Sequence, residues 1–272
     1  MDIRRLHAEG ARTGRSGPAT PLSRRGFLAT GLASLTLPSL LACLERGTGP
    51  TYDGNPRLSA RPGVPTEVPQ IGATVPGIEI GRDAILYVPE GYDPDTPSPM
   101  MVALHGAGGS AASWSGFQPL CGGRNMILLA VDSRGSTWDR VRGAFGPDVF
   151  YLDEVLAYTF ARCRVDPDRL ALAGFSDGAS YALSLGVSNG DLFSHLIAFS
   201  PGFYLPAAER VGKPRVFVSH GGSDPIIAFQ ASRDHIVPML QEEGFDVTFR
   251  EFDGGHSVPE TVATEALDWM LA

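Results

Sequence analysis

A serine between two glycines has the setting in this chain that most directly indicates chemistry. It lies in the sequence Gly174-Phe175-Ser176-Asp177-Gly178, after a short apolar run and before a helical pattern. A strand that turns this abruptly into a helix leaves no room for a Cβ two positions either side of the serine. The turn exposes the hydroxyl near a helix N-terminus, whose amides favour a developing negative charge. The pattern is typical of a serine nucleophile.

An aspartate and a histidine further along the chain could complete this chemistry, because a serine hydroxyl needs a base and the base needs an orienting carboxylate. Asp224 follows the apolar run that ends at Ser219, and His256 follows the run that ends at Phe252. Each lies just past its own predicted strand, where side chains from different strands can converge. We therefore predict Ser176 as nucleophile, Asp224 as acid and His256 as base.

Four other aspartates are weaker candidates for the acid. One lies three residues before the histidine, one lies inside a predicted helix, and two precede the strand that leads to the serine. They are Asp253, Asp153, Asp166 and Asp168.

A metal site at His220, Asp224 and His256 is an alternative interpretation of the same loops. The sequence has neither an HExxH motif nor Cys and His residues clustered at ligand spacing, which disfavours this alternative. We predict no metal and no cofactor. His105 is expected to orient the loop that follows it, and His195 is expected to have a packing role.

A glycine-rich stretch after an earlier strand could supply hydrogen-bond donors. It reads His105-Gly106-Ala107-Gly108-Gly109. We predict that the amides of Ala107 and Asp177 stabilise the oxyanion of a tetrahedral intermediate. A phosphate-binding loop is the alternative, but the pattern lacks its lysine, and the chain's single lysine is Lys213.

The elements that must position these groups alternate between short apolar runs and longer amphipathic ones, which predicts an α/β protein with a mostly parallel sheet. The predicted strands are Ala84 to Val88, Met100 to Leu104, Met126 to Val131, Leu170 to Ala173, His195 to Phe199, Arg215 to Ser219 and Asp246 to Phe252. The predicted helices are Ala111 to Leu120, Asp148 to Cys163, Ala179 to Val187, Ile226 to Gly244, interrupted at Pro238, and Pro259 to Leu271.

Four motifs in order carry a resemblance to a known family: LHGAGG, GFSDGAS, SHGGSDP and DGGHSVP. From about Ile80 onward the chain resembles an α/β hydrolase, and within that group the compact bacterial carboxylesterases related to phospholipase/carboxylesterase and polyhydroxyalkanoate depolymerase proteins. The resemblance implies the α/β hydrolase fold with little or no lid and a Ser176, His256, Asp224 triad. In this fold Cys121 and Cys163 should lie on opposite faces of the sheet, as two buried thiols.

The function implied is that of a serine carboxylesterase that forms an acyl-serine on short acyl esters or on accessible polymer or phenolic esters. Candidate walls for the substrate are Trp114, Trp138, Phe203 and Tyr204. Two alternatives stay open: an envelope acyltransferase that uses the same acyl-serine, and a surface binding protein without turnover.

The N-terminal residues have the pattern of an export signal. Arg24 and Arg25 precede an uncharged run and resemble the twin-arginine signal, and the run ends in Leu-Ala-Cys43, which resembles a lipobox. We expect a signal peptide over 1–43, a flexible linker over 44–66 and a catalytic domain over 67–272. The protein would then be exported and anchored to the bacterial cell envelope by lipid on Cys43.

The amino-acid composition limits the classes of partner that the protein is expected to bind. The chain has 43% hydrophobic residues, enough for a packed core, and a formal net charge of −8. An acidic protein lacks the basic surface that binds phosphate backbones, which disfavours nucleic-acid binding. The expected partner is therefore an ester, small or polymeric, and the membrane is contacted only through the lipid anchor.

Overall fold

The computed structural model describes residues 54–272. The predicted signal peptide, the twin-arginine motif, Cys43 and the first part of the predicted linker lie outside the described residues. Within residues 54–272, no helix has both the length and the apolar character that crossing a membrane requires.

One eight-stranded sheet forms the centre of the domain, with strand order β1-β2-β4-β3-β5-β6-β7-β8. The strands are β1 Gly72–Thr74, β2 Ala84–Val88, β3 Ser98–Leu104, β4 Ile127–Val131, β5 Val165–Phe175, β6 His195–Phe199, β7 Arg215–Gly221 and β8 Val247–Phe252. The pairings β1–β2 and β2–β4 are antiparallel, and all the others are parallel. The predicted mostly parallel sheet is confirmed.

Helices cover both faces of this sheet, which explains why β3, β4 and β6 are buried along their whole length and are apolar except at the first residues of β3 and β6, Ser98 and His195. The helices are a 3₁₀ helix Ala111–Phe117, α1 Gln118–Gly122, α2 Asp139–Arg142, α3 Pro147–Arg162, α4 Asp177–Gly186, a π-helix Ala231–Ile236, α5 Val237–Glu242 and α6 Glu260–Leu271. Residues of α3, α4 and α5 pack in one core cluster, and residues of the 3₁₀ helix, α1 and α6 pack in a second. Cys163 belongs to the first and Cys121 to the second, and both are buried free thiols, as predicted.

The helix predicted over 226–244 begins later than expected. Asp224 Oδ1 accepts hydrogen bonds from the amides of Ile226 and Ile227, which hold this segment in a turn, so the helical part begins as the π-helix at Ala231. Pro238 lies in the first turn of α5. It has no N–H to donate to the preceding turn, which accounts for the change from π to α geometry at this point.

The linker prediction is wrong for its described part, residues 54–66, because this segment packs on the domain. Leu58 is only 2% exposed. Arg57 forms a bidentate ion pair with Asp191, and Asp153 accepts hydrogen bonds from the amides of Ser59 and Ala60. The domain therefore begins well before residue 67. Gly and Pro composition predicted the absence of helix and strand correctly, but it carried no information on the carboxylates that bind the segment.

Candidate active site

Ser176 occupies a strained turn between β5 and α4. Its φ is +57° and its ψ is −119°, a conformation that costs free energy and is found mainly at functional sites. A Cβ on Gly174 would lie 2.2 Å from the carbonyl group of Gly178, and one on Gly178 would lie 2.1 Å from the carbonyl oxygen of Leu104. Both glycines are therefore required by close backbone contacts, as the sequence predicted.

The structure brings the three predicted catalytic side chains together. Ser176 Oγ lies 2.9 Å from His256 Nε2, and His256 Nδ1 lies 2.6 Å from Asp224 Oδ2. The three groups come from the ends of β5, β7 and β8, which are parallel neighbours or near neighbours in the sheet. A hydroxyl, an imidazole and a carboxylate in this line can transfer one proton from the hydroxyl to the imidazole.

The carboxylate of Asp224 is fully buried and well supplied with donors. Oδ1 accepts from the amides of Ile226 and Ile227 at 2.8 and 2.9 Å. Oδ2 faces both His256 Nδ1 and His220 Nε2, the latter at 3.2 Å. Burial acts to raise the pKa of Asp224, but the hydrogen bonds from Ile227, His256 and Ile226 outweigh it, so the pKa lies below its ordinary value. The group is ionised at neutral pH.

His220 is enclosed by the protein on both sides of its ring. Nδ1 lies 2.7 Å from Ser232 Oγ, and Nε2 lies 3.0 Å from the carbonyl oxygen of Ile227. Burial lowers its pKa, so the ring is neutral and donates from Nε2. Among the described residues, no group of three or more His, Cys, Asp or Glu side chains could hold a metal ion.

The glycine-rich loop after β3 runs beside the nucleophile. A Cβ on Gly106 would lie 3.2 Å from Ser176 Cβ. Gly108 has a φ of +69°, and its amide donates to the carbonyl oxygen of Ser136 at 2.7 Å. The amides of Ala107 and Asp177 have no hydrogen-bond acceptor within residues 54–272. Both remain available to an oxygen bound at Ser176.

His105 orients this loop, as expected from the sequence. Nδ1 lies 2.7 Å from the carbonyl oxygen of Gly106, and Nε2 accepts from the amide of Ser133 at 3.1 Å. Burial lowers the pKa of His105, so its ring is neutral. The indole N–H of Trp138 donates to the carbonyl oxygen of His105 at 2.8 Å, which fixes the loop from its other side.

A cavity of about 580 Å³ opens beside His256 and is also lined by Phe175 and Gly106, which lie next to Ser176. Its aromatic walls are Trp114 of the 3₁₀ helix, Phe117 one turn later, and Phe175. The Phe175 ring packs on the imidazole of His256 with centroids 4.7 Å apart. Aliphatic and acidic lining comes from Pro119, Leu120, Val258, Ala263 and Glu260. Sequence reasoning missed Phe117 and Phe175, although the first follows Trp114 at helical spacing and the second adjoins the nucleophile.

Three of the four predicted substrate walls do not line this cavity. Trp138 is fully buried, because its indole N–H needs the His105 carbonyl and its ring stacks on Tyr181. Tyr204 is buried and donates to Glu243 at 2.8 Å. Phe203 is half-buried and lies outside the lining. Only Trp114 is placed as predicted; the assignment of Trp138 and Tyr204 as walls was wrong.

Comparison with known proteins identifies the fold and the class of enzyme. A model of the phospholipase/carboxylesterase family matches residues 149–270. Feruloyl esterase C of Emericella nidulans is 25% identical over 207 residues, covering 72% of this chain and 71% of that one. Three Aspergillus sequences named probable feruloyl esterase C match over 57% of their own length.

Solved structures agree on the architecture. S-formylglutathione hydrolase from Staphylococcus aureus superposes with a TM-score of 0.61 at 15% identity, covering 75% of this chain and all of that one. A ferulic acid esterase from Anaeromyces mucronatus, solved with ferulic acid, gives 0.55 at 17% identity and covers 74% of this chain and 90% of that one. The fold is the α/β hydrolase fold. The chain is an enzyme of the serine hydrolase class, a carboxylic ester hydrolase.

Proposed function

We propose that the chain hydrolyses carboxylic esters through an acyl-serine on Ser176, with His256 as general base and Asp224 as the orienting acid. The observation that carries this assignment is the continuous line of hydrogen bonds from Ser176 Oγ through His256 to Asp224, at 2.9 and 2.6 Å. The strained backbone at Ser176 and the two free amides beside it support the same assignment.

The mechanism follows from these atoms. His256 Nε2 takes the proton of Ser176 Oγ as the oxygen attacks the ester carbonyl, while Asp224 stabilises the imidazolium through Nδ1–H. The amides of Ala107 and Asp177 donate to the oxyanion of the tetrahedral intermediate. His256 returns the proton to the departing alcohol, which leaves an acyl-serine. A water molecule activated by the same imidazole then releases the acid and restores the serine.

The cavity favours compact aryl or short acyl esters. Its three aromatic walls match a planar or small apolar group, and its volume of about 580 Å³ lies in the range of sites for small molecules. Residues 200–214, which connect β6 to β7, contain no helix, so no lid of that kind covers the cleft. The feruloyl esterases among the relatives support phenolic esters as one substrate group.

Active-site labelling combined with an ester panel tests this function. We expect a fluorophosphonate probe to label the wild type but not Ser176→Ala, and Ser176→Ala to lower kcat by about 10⁶-fold. Ser98→Ala is the matched control, because Ser98 lies at the far end of β3 and its buried hydroxyl has no partner among the described residues. Rates should be highest for acetate, butyrate and hydroxycinnamate esters. Labelling of Ser176→Ala, or rates that rise steadily toward palmitate, would contradict the proposal.

We also propose that the enzyme is exported and anchored by lipid on Cys43. Support comes from the paired arginines Arg24 and Arg25, the uncharged run behind them and the Leu-Ala-Cys sequence that ends it. These residues lie outside the described part of the chain, so the proposal depends on the sequence alone.

A further inference from the structure

Three consecutive residues between β4 and α2 contact both sides of the oxyanion site. They are Ser136, Thr137 and Trp138, here called the 136–138 segment. None of them touches the proposed proton-transfer groups, and sequence reasoning assigned a role only to Trp138. Each contributes one hydrogen bond, and the three bonds reach the ends of two different strands.

Thr137 contacts the residue that follows the nucleophile. Its Oγ1 donates to Asp177 Oδ2 at 2.6 Å, a short bond of the kind formed with an ionised acceptor. Asp177 begins α4, and its amide is one of the two proposed oxyanion donors. The hydroxyl of Thr137 therefore restrains the residue that presents this N–H.

The flanking residues of the segment restrain the other donor. The Ser136 carbonyl accepts from the Gly108 amide at 2.7 Å, directly after Ala107. The Trp138 indole donates to the His105 carbonyl at 2.8 Å, two residues before Ala107. The loop that carries the Ala107 amide is thus held on both sides by the segment that also holds Asp177.

We propose that Thr137 is a positioning residue of the oxyanion site, and that the 136–138 segment sets the separation of the Ala107 and Asp177 amides. This inference depends on the proposed function. Oxyanion donors act only if they already point at the position that the charged oxygen will take. A segment bonded to both donors fixes their separation before substrate arrives, so its loss should weaken transition-state binding more than substrate binding.

Kinetics of Thr137 variants test the proposal. Thr137→Val keeps the shape and removes the hydroxyl, and Thr137→Ser keeps the hydroxyl. We expect Thr137→Val to lower kcat about tenfold with KM little changed, because small misplacements of catalytic groups have effects of this order. Thr137→Ser should recover most of the loss. Inhibition by an arylboronic acid, which forms a tetrahedral adduct with the serine, should weaken by the same factor as kcat/KM.

Thr96→Val is the matched control. Thr96 donates to Asp93 Oδ2 at 2.9 Å in an exposed turn between β2 and β3, so this variant removes a Thr–Asp bond far from the site. It should retain wild-type kinetics. Asp177→Asn is a second variant that weakens the same bond by removing the charge, and it should lower kcat in the same direction. The double variant Thr137→Val/Asp177→Asn should lose little more than Thr137→Val alone.

The outcomes separate this inference from the proposed function. An active wild type with an equally active Thr137→Val overturns the inference alone. So does a loss confined to KM, or a Thr137→Ser as slow as Thr137→Val. A wild type that neither turns over esters nor binds the boronic acid overturns the proposed function and this inference with it.

Discussion

At the scale of single residues, Phe175 connects the cavity to the proposed proton-transfer groups. Its ring forms part of the cavity wall and also packs on the His256 imidazole. The imidazole is thus fixed on one side by a carboxylate and on its face by an apolar ring. A substrate group in the cavity would pack against the same phenyl ring that limits the movement of the base. In the proposed mechanism, acyl-group binding and the orientation of the general base therefore depend on one side chain.

His195 predicts a pH dependence of stability. The ring is buried at the start of β6: Nδ1 lies 2.9 Å from Ser194 Oγ, and Nε2 is buried with no partner among the described residues. Burial, together with the charge of Arg215, lowers its pKa to about 4. The unfolded chain has an ordinary histidine pKa of about 6.5. Below that pH the unfolded state binds a proton that the folded state does not, so stability is complete above it and falls with pH toward 4.

The expected size of this effect is about 3 kcal/mol, from the difference between the two pKa values. His195→Asn keeps a polar atom near Ser194 and cannot be protonated. We expect its free energy of unfolding in urea to fall less between pH 7.5 and pH 4.5 than that of the wild type. His235→Asn is the control, since His235 is exposed and its replacement should leave the pH profile unchanged. Parallel profiles for wild type and His195→Asn would refute this account.

Packing of α4 against β3 gives a prediction at the scale of elements. A Cβ on Gly178 would meet the carbonyl oxygens of Leu104 and His105 at 2.1 and 2.5 Å. The backbone of β3 and the loop after it can relieve such close contacts only if α4 moves away from the sheet. Gly178→Ala should therefore lower the free energy of unfolding by more than about 4 kcal/mol and reduce soluble yield.

Gly63→Ala is the comparison for Gly178→Ala, because a Cβ on Gly63 meets nothing within 4 Å. Its free energy of unfolding should stay within about 0.5 kcal/mol of the wild type. Urea unfolding of both variants measures the difference. A stable, active Gly178→Ala would mean that α4 can move away from β3 without loss of the turn at Ser176.

The elements that could be predicted from sequence are those with a long, uniform pattern. Apart from the first residues of β3 and β6, the strands β3, β4 and β6 are apolar because both of their faces are covered, and α3 and α6 show clear apolar stripes. β1 has three residues and α2 has four, too few for any period to be visible. The turn at 225–228 is fixed by the side chain of Asp224, and this bond has no signature in hydrophobic periodicity.

The site was predictable to the same degree as its elements. Motif order placed Ser176, Asp224 and His256 on neighbouring loops, but it could not give their distances. Aromatic residues after strands were poor guides to the cavity. Trp138 and Tyr204 turn inward because each has a polar atom with an acceptor inside the domain. The Thr137–Asp177 bond joins residues 40 positions apart, and no local pattern marks it.

At the scale of the whole molecule, the segment at residues 57–61 is fixed to the domain by ion pairs and hydrogen bonds. Arg57 and Arg61 both bind Asp191, and Asp153 holds the next residues. Residues 57–61 are therefore fixed to the α3 and α4 side of the sheet, whose residues form the first core cluster. The cavity lies on the other side, among residues of the second cluster.

Removal of the proposed lipid site should release the enzyme without inactivating it. We expect Cys43→Ala, expressed in a bacterium with its full signal, to move from the membrane fraction to the soluble fraction and to keep full esterase activity. The lipid would be attached to a residue outside the catalytic domain, so loss of the lipid changes location only. Cys121→Ala is the control and should stay with the membrane. Equal partitioning of Cys43→Ala and wild type would refute the anchor.

The proposed proton-transfer groups and most of the aromatic cavity walls lie in different parts of the chain, which has a consequence for changing the selectivity. The family model begins at residue 149, and the three proposed proton-transfer groups all lie beyond that point. Two of the three aromatic cavity walls, Trp114 and Phe117, lie before it. Substitutions at these two walls can change selectivity while Ser176, Asp224 and His256 stay unchanged. A directed-evolution library aimed at new ester substrates should therefore randomise residues of the 3₁₀ helix and α1 first.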